Sequence, residues 1–197
     1  MQTQTATIYS LIRPATIWKE LPLLIGFNLI LVATSYISID LPFSLVPITG
    51  QTFGVLLIAM ALGRVRGAAV ISAYLLEGIA GLPVFAGGTA GFTKIIGPTG
   101  GYLIGFLASG YVTGWLADKG WDKSYLKCII AMIIGTAVIF AFGLIWLGKF
   151  VPAESILTMG LYPFISGAVI KIALAAVILP SIWRFVGRGD KNAIEEQ

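Results

Sequence analysis

Two ionisable side chains stand inside otherwise apolar runs: Lys171 within FISGAVIKIALAAVIL (164–179) and Glu77 within the run 67–81. An ammonium in a hydrocarbon layer is tolerable only if it meets a carboxylate, backbone carbonyls or water. Such residues therefore mark binding sites, relays or structural ion pairs. Counted from outer ends near Gly81 and Pro163, Glu77 lies roughly 6 Å deep and Lys171 roughly 12 Å deep, at 1.5 Å per residue. A lysine stem spans that difference. Two readings stand side by side. In one, Lys171 and Glu77 form a salt bridge that fixes the run 67–81 to the run 159–185. In the other, Lys171 lines an outward-facing pocket and meets a polar or anionic group of a ligand. Polar companions in the same half are Tyr36, Gln51, Thr52 and Tyr74; Asn28 lies deeper, where it can bond another helix.

The same inventory argues against catalysis. The chain has no His and one Cys, Cys128, so it offers neither a transition-metal donor set nor an intramolecular disulfide. It has no G-x-x-x-x-G-K-[ST] phosphate loop. Intramembrane hydrolysis would need a nucleophile with its base, a carboxylate pair or a metal, and only one carboxylate is embedded. The expectation is no enzyme, no cofactor and no metal. A ligand pocket without an energy source predicts a substrate-binding membrane subunit that takes its energy from partners.

The elements that must position these residues are membrane helices. Of 197 residues 57% are hydrophobic and 11% charged, with a mean hydropathy of +0.93. A soluble domain carries about 25% charged residues. The class is an all-α integral membrane protein, one membrane domain over 1–197, in a lipid bilayer. The net charge of +4 is spread through a greasy chain. It reads as a topology signal and not as a nucleic-acid surface.

Six apolar segments predict six transmembrane helices, at about 21–37, 53–63, 67–81, 101–117, 125–147 and 159–185. A crossing takes about 17–20 residues, so the second and third need dipping loops or shielding neighbours. Arg13, Lys19, Arg64, Arg66, Lys119, Lys123, Lys127, Arg184, Arg188 and Lys191 fall on one side of six crossings, against Lys94 and Lys149 on the other. By the positive-inside rule both termini are cytoplasmic, in a multi-pass protein of a cell membrane. Trp18, Trp115, Trp146 and Trp183 lie near span ends, as interface anchors do. The N-terminus lacks the charged start and apolar core of a signal peptide. Ile8, Leu11, Ile12, Ala15 and Trp18 have helical spacing, with Arg13 and Lys19 nearby, and predict an interfacial helix over 7–19; a disordered tail is the alternative. Small pairs four apart (Gly101/Gly105, Gly110/Gly114, Ala131/Gly135, Ala137/Ala141) predict close helix packing. No internal repeat is visible.

Two outer connections stand apart. SIDLPFSLVPITGQT (38–52) and LPVFAGGTAGFTKIIGPTG (82–100) are apolar, rich in Pro and Gly, and nearly uncharged. Loops in water have little reason to carry Phe43, Leu45, Phe85, Phe92 and Ile96. They predict a lid or pocket wall rather than a mere plug, because Gln51, Thr52, Thr89 and Lys94 are interleaved with the apolar residues.

These residues resemble the BioY family, the biotin-specific substrate-binding (S) components of energy-coupling factor (ECF) transporters. The resemblance rests on P-I-T-x-Q-T-F (47–53), G-L-P-V-F-A-G-G (81–88) and G-P-T-G-G-Y (97–102), in that order. It covers about 33–115 closely and PFISGAVIK (163–171) more loosely. It implies a six-helix S-component fold and biotin capture from the outer side. It also implies association with a transmembrane coupling subunit and two cytoplasmic ATPase subunits. Biotin would need apolar walls and a few placed polar groups. The resemblance assigns Lys171 to the ureido carbonyl and Gln51 to a donor and acceptor role. Phe53, Phe85, Phe92 and Tyr102 become walls, and Lys94 one option for the carboxylate. It places a weak coupling-subunit contact on the first helix, at Gly26, Ile30 and Ala33. The chain departs from the family's P-F-x-P-G-D-x-x-K pattern: Ser166 and Ala168 stand where Pro and Asp are usual. Rival readings are an S component for another vitamin, a chromophore protein with Lys171 as Schiff base and Glu77 as counter-ion, and a scaffold subunit without ligand.

Overall fold

The structure is a computed structural model that describes residues 7–9 and 16–195, with side chains through Phe185. Leu11, Ile12, Arg13 and Ala15 of the expected 7–19 helix lie outside the described residues, as do the side chains of Arg188 and Lys191. In chain order the elements are α1 (Ile17–Tyr36), β1 (Ser38–Ile39), β2 (Ile48–Thr49), α2 (Gln51–Ile79), α3 (Phe92–Ile96), α4 (Gly100–Asp118), α5 (Tyr125–Leu147), α6 (Ile156–Gly160) and α7 (Tyr162–Glu195).

The second and third apolar segments run together as α2, but they form two arms. Gly63 takes φ 78° and ψ −179°, outside the helical region. The chain reverses there: Ala59 Cα lies 2.9 Å from where a Cβ on Gly67 would sit. Residues eight apart in a straight helix are about 12 Å apart. The arms 51–62 and 64–79 are thus an antiparallel helical hairpin, about 18 and 24 Å long. Nine of the twelve residues in the first arm are buried, so this short arm is wrapped by protein rather than by lipid. With the hairpin counted as two, six helices make up the bundle. α1, the hairpin, α5 and the stretch Ala153–Phe185 contain windows apolar and long enough to cross a membrane.

Small residues set the spacing of the bundle. Cβ atoms on Gly101 and Gly105 would strike Trp146, Phe142 and Ile139 of α5, and on Gly114 the backbone of Arg64. The two glycine pairs of α4 therefore serve two neighbours, α5 and the hairpin. Gly135 of α5 approaches Leu56, Thr113 and Ser109. α1 buries only the stripe Asn28, Leu31 and Ser35, whose spacing of three and four is one helix face.

Charged and aromatic residues gather at the end of the bundle that holds Gly63. Arg66 meets Glu20 at 2.6 Å and lies 3.9 Å over the ring of Tyr9, and Arg64 meets Asp118 at 3.5 Å. Asp122, fully buried in the turn between α4 and α5, accepts a 2.7 Å hydrogen bond from Trp183 of α7. Lys119 and Lys123 cap the rings of Trp115 and Trp183. Thr7, Ile8 and Tyr9 are buried against this same end.

Candidate functional site

Lys171 sits in α7 and points its ammonium at the start of α2. Nζ donates to the Thr49 carbonyl at 2.5 Å and to Thr52 Oγ1 at 2.8 Å. A carbonyl and a hydroxyl thus make a half-buried ammonium tolerable at this depth. Lysine has three N–H donors and these bonds use two, so one donor has no protein acceptor among the described residues. The salt bridge to Glu77 does not form: the ion pairs among the described residues are Arg64 with Asp118 and Arg66 with Glu20. The lysine is satisfied instead by the chain that enters the hairpin, which lies closer to it.

Around Lys171 lies a cavity of about 350 Å³. Small-molecule sites occupy roughly 300–1,000 Å³. Its walls come from the connection 38–50, the first turns of α2, the connection 80–99, and α4, α5 and α7. Leu56, Phe85, Leu103, Phe106, Met132, Ile139, Phe140 and Phe164 supply apolar surface; Thr49, Gln51, Thr52, Thr89, Thr99 and Thr136 supply placed polar atoms.

Both connections are fastened over it. The β1–β2 hairpin pairs Ser38 with Thr49 and Ile39 with Ile48. At its tip Ser44 Oγ donates to Met159 O, 2.7 Å away in α6, and accepts from Val46 N. The second connection is held by Ser35 Oγ to Val84 O at 2.6 Å, Tyr36 Oη to Pro83 O at 2.8 Å and Trp146 Nε1 to Gly97 O at 2.9 Å. These bonds satisfy carbonyls that an apolar cover would otherwise bury unpaired.

Of the sequence-derived site residues, Lys171, Gln51, Thr52, Phe53, Phe85, Lys94 and Tyr102 all border the cavity. Tyr74 and Glu77 do not. Tyr74 is buried behind the wall, where its hydroxyl accepts from Gln51 Nε2 at 2.5 Å and its ring meets Phe85 edge-on at 5.7 Å. It positions two wall residues rather than forming the wall. Glu77 is half-buried on the second arm. Phe92 is exposed on α3 and faces away from the lining. Tyr102 is anchored by a 2.8 Å bond to Gly160 O. Ala168 does border the cavity, leaving only a methyl group at that point of the α7 wall.

The sequence reading missed Thr49, whose backbone carbonyl does the work, and the α5 wall of Met132, Thr136, Ile139 and Phe140. Thr136 was a visible signal: a hydroxyl amid the apolar run of α5. On α1, Gly26 has nothing within 4 Å of a built Cβ, and Ile30 and Ala33 are exposed.

A helical membrane bundle with a roofed small-molecule cavity, and a lysine donor inside it, defines a solute-binding membrane protein. Comparison with known proteins gives the family. The BioY family model matches residues 3–188, and the chain belongs to the BioY family. It is 37% identical over 153 residues to the biotin transporter BioY of Thermotoga maritima, covering 77% of this chain and 88% of that one. It is 35% identical over 173 residues to the biotin transporter BioY of Rhizobium etli, covering 81% and 90%. The crystal structure of the S-component for biotin from an ECF-type ABC transporter matches with a TM-score of 0.76 at 28% identity, covering 84% of this chain and 91% of that one. The family is one of transporters rather than of enzymes, and this chain is a multi-pass membrane protein.

Proposed function

We propose that this chain is the biotin-capturing S component of an ECF-type uptake transporter, and that the cavity around Lys171 is its biotin site. The observation that carries the reading is the spare Lys171 donor inside an apolar-walled cavity of about 350 Å³. Biotin offers a ureido carbonyl to that donor, N–H groups to neighbouring threonine and glutamine oxygens, and a sulfur ring and aliphatic tail to the walls. Phe53, Phe85 and Tyr102 are the wall residues that serve it; Tyr74 acts behind them, holding Gln51 and Phe85. No acid stands at position 168, so the ureido N–H groups rely on neutral acceptors. Glu77 is not paired with Lys171, which speaks against a Schiff base with its counter-ion.

The chain crosses the membrane six times, the α2 hairpin supplying two crossings, with both termini cytoplasmic. The end that bears Gly63, Arg64, Arg66, Lys119 and Lys123 then faces the cytoplasm, and the roofed cavity faces outward. The open face of α1 at Gly26, Ile30 and Ala33 meets a transmembrane coupling subunit, which two cytoplasmic ATPase subunits serve. Ala33→Trp is expected to abolish co-purification with the coupling subunit while leaving biotin binding intact.

The direct test is equilibrium binding to the detergent-purified chain. Wild type is expected to bind biotin at about nanomolar Kd, near −12 kcal/mol, and Lys171→Ala to weaken this at least about 100-fold, as expected when a donor to a buried acceptor is lost. Wild type that takes up no biotin overturns the reading. Displacement of bound biotin by thiamine or riboflavin would redirect it to another vitamin.

A further inference from the structure

We infer that Lys94 reads the carboxylate of the ligand, and that the site therefore selects free biotin over its amide-linked conjugates. The inference rests on the cavity being the biotin site. Two cations border the cavity, Lys171 and Lys94, against one carboxylate, Asp40. The lining is thus one positive charge in excess, which matches a ligand bearing a single carboxylate.

The two lysines are not equivalent. Lys171 is committed, with two of its three donors on Thr49 and Thr52. The Lys94 ammonium makes no hydrogen bond, ion pair or ring contact among the described residues, although its residue is half-buried at the cavity. Asp40 is exposed and does not neutralise it.

The lysines also enter from different walls. Lys171 comes from α7 against the start of α2, whereas Lys94 rides on α3. The segment carrying α3 is secured on both sides of the lysine: Gly91 N donates to Gly78 O, and the Gly97 carbonyl accepts from Trp146. Thr99 Oγ1 donates to the Lys94 carbonyl. The backbone beneath Lys94 is therefore fixed, and only its side chain must move to meet an anion. Such preorganisation lowers the ordering cost of binding. A ligand with its neutral polar ring at Lys171 and its acid at the other end of an aliphatic tail presents one group to each lysine. A carboxylate meeting an ammonium gives a charge-assisted bond that a carboxamide cannot.

The test is calorimetric titration of the full-length chain with biotin and with biotinamide, which differs only in the terminal group. Wild type is expected to favour biotin by about 10-fold or more. Lys94→Gln is expected to lower biotin affinity by about 10-fold while biotinamide affinity stays within about twofold. Lys94→Arg should keep the preference. Retained amide binding shows that the variant is folded. A Lys94→Gln preference equal to that of wild type overturns the assignment of Lys94 and leaves the biotin site standing. Wild type that binds neither compound overturns both.

Discussion

At the scale of single residues, the site turns on hydrogen-bond accounting for Lys171. Its charge and its position in an apolar run were visible in the chain; its partners were not. One acceptor is the backbone carbonyl of Thr49, which any residue type would provide, so no pattern of side chains could reveal it. The other, Thr52, was legible as a hydroxyl near the same end. Thr52→Val removes that acceptor and lets the ammonium drift. Biotin affinity is expected to fall about 5–10-fold, as for the loss of one ordinary hydrogen bond that acts on the ligand only through Lys171, while Thr52→Ser stays near wild type. Titration calorimetry on the two variants separates the hydroxyl from the methyl. Gln51 illustrates the opposite case. Its side-chain oxygen accepts from Thr49 Oγ1 at 3.1 Å and its nitrogen donates to Tyr74, so its rotamer is fixed before any ligand arrives.

At the scale of elements, the hairpin at Gly63 and the fastened connections shape the cavity. The sequence showed two apolar segments too short to cross alone, with arginines between them. It did not show how the short arm is shielded: the second arm lies against it at Gly67, closely enough for contact with the Ala59 backbone, while α1 covers it at Gly54 and α5 at Gly135. A side chain at Gly63 faces two obstacles: a positive φ of 78°, and Asp118 Oδ1 in the space the new Cβ would fill. Gly63→Ala is expected to destabilise by at least about 1–2 kcal/mol, read as a lower Tm in detergent. Gly26→Ala, in open space and in helical conformation, should leave Tm unchanged or slightly higher. Ser44→Ala releases the β hairpin from α6. Faster biotin release and earlier proteolysis within 38–50 are the expected signs, with the helices intact.

At the scale of the whole molecule, the two ends of the bundle differ in chemistry. One carries the roofed cavity; the other ties the chain's beginning and α7 to the α4–α5 turn through Asp122. Burial pushes the Asp122 carboxyl up to about 6 from 3.8, against the Trp183 hydrogen bond that lowers it. Because the folded value is the higher, the folded protein holds this proton more tightly than the unfolded chain. The associated stability is fully present below about 3.8 and is lost as pH rises through about 6. Thermal unfolding of wild type and Asp122→Asn at pH 5 and pH 7.5 is expected to show Asp122→Asn gaining on wild type at the higher pH. A constant difference between the two would show that Asp122 does not titrate in this window.

The membrane class, the apolar segments, the apolar connections that border the cavity and the lysine in need of a partner can all be read along the chain. Each follows from local quantities: hydropathy, helical spacing, and the cost of a charge in hydrocarbon. The motifs around 47–53, 81–88 and 97–102 carried the family. Packing brings Lys171 to Thr49, 122 positions away, rather than to Glu77, and sets Tyr74 behind a wall that Met132 and Phe140 form. Those choices depend on how closely helices approach, which glycines on α4 and α5 set by contact with distant segments. A one-dimensional pattern records which residues are apolar or charged, but not which neighbours packing brings within hydrogen-bonding distance.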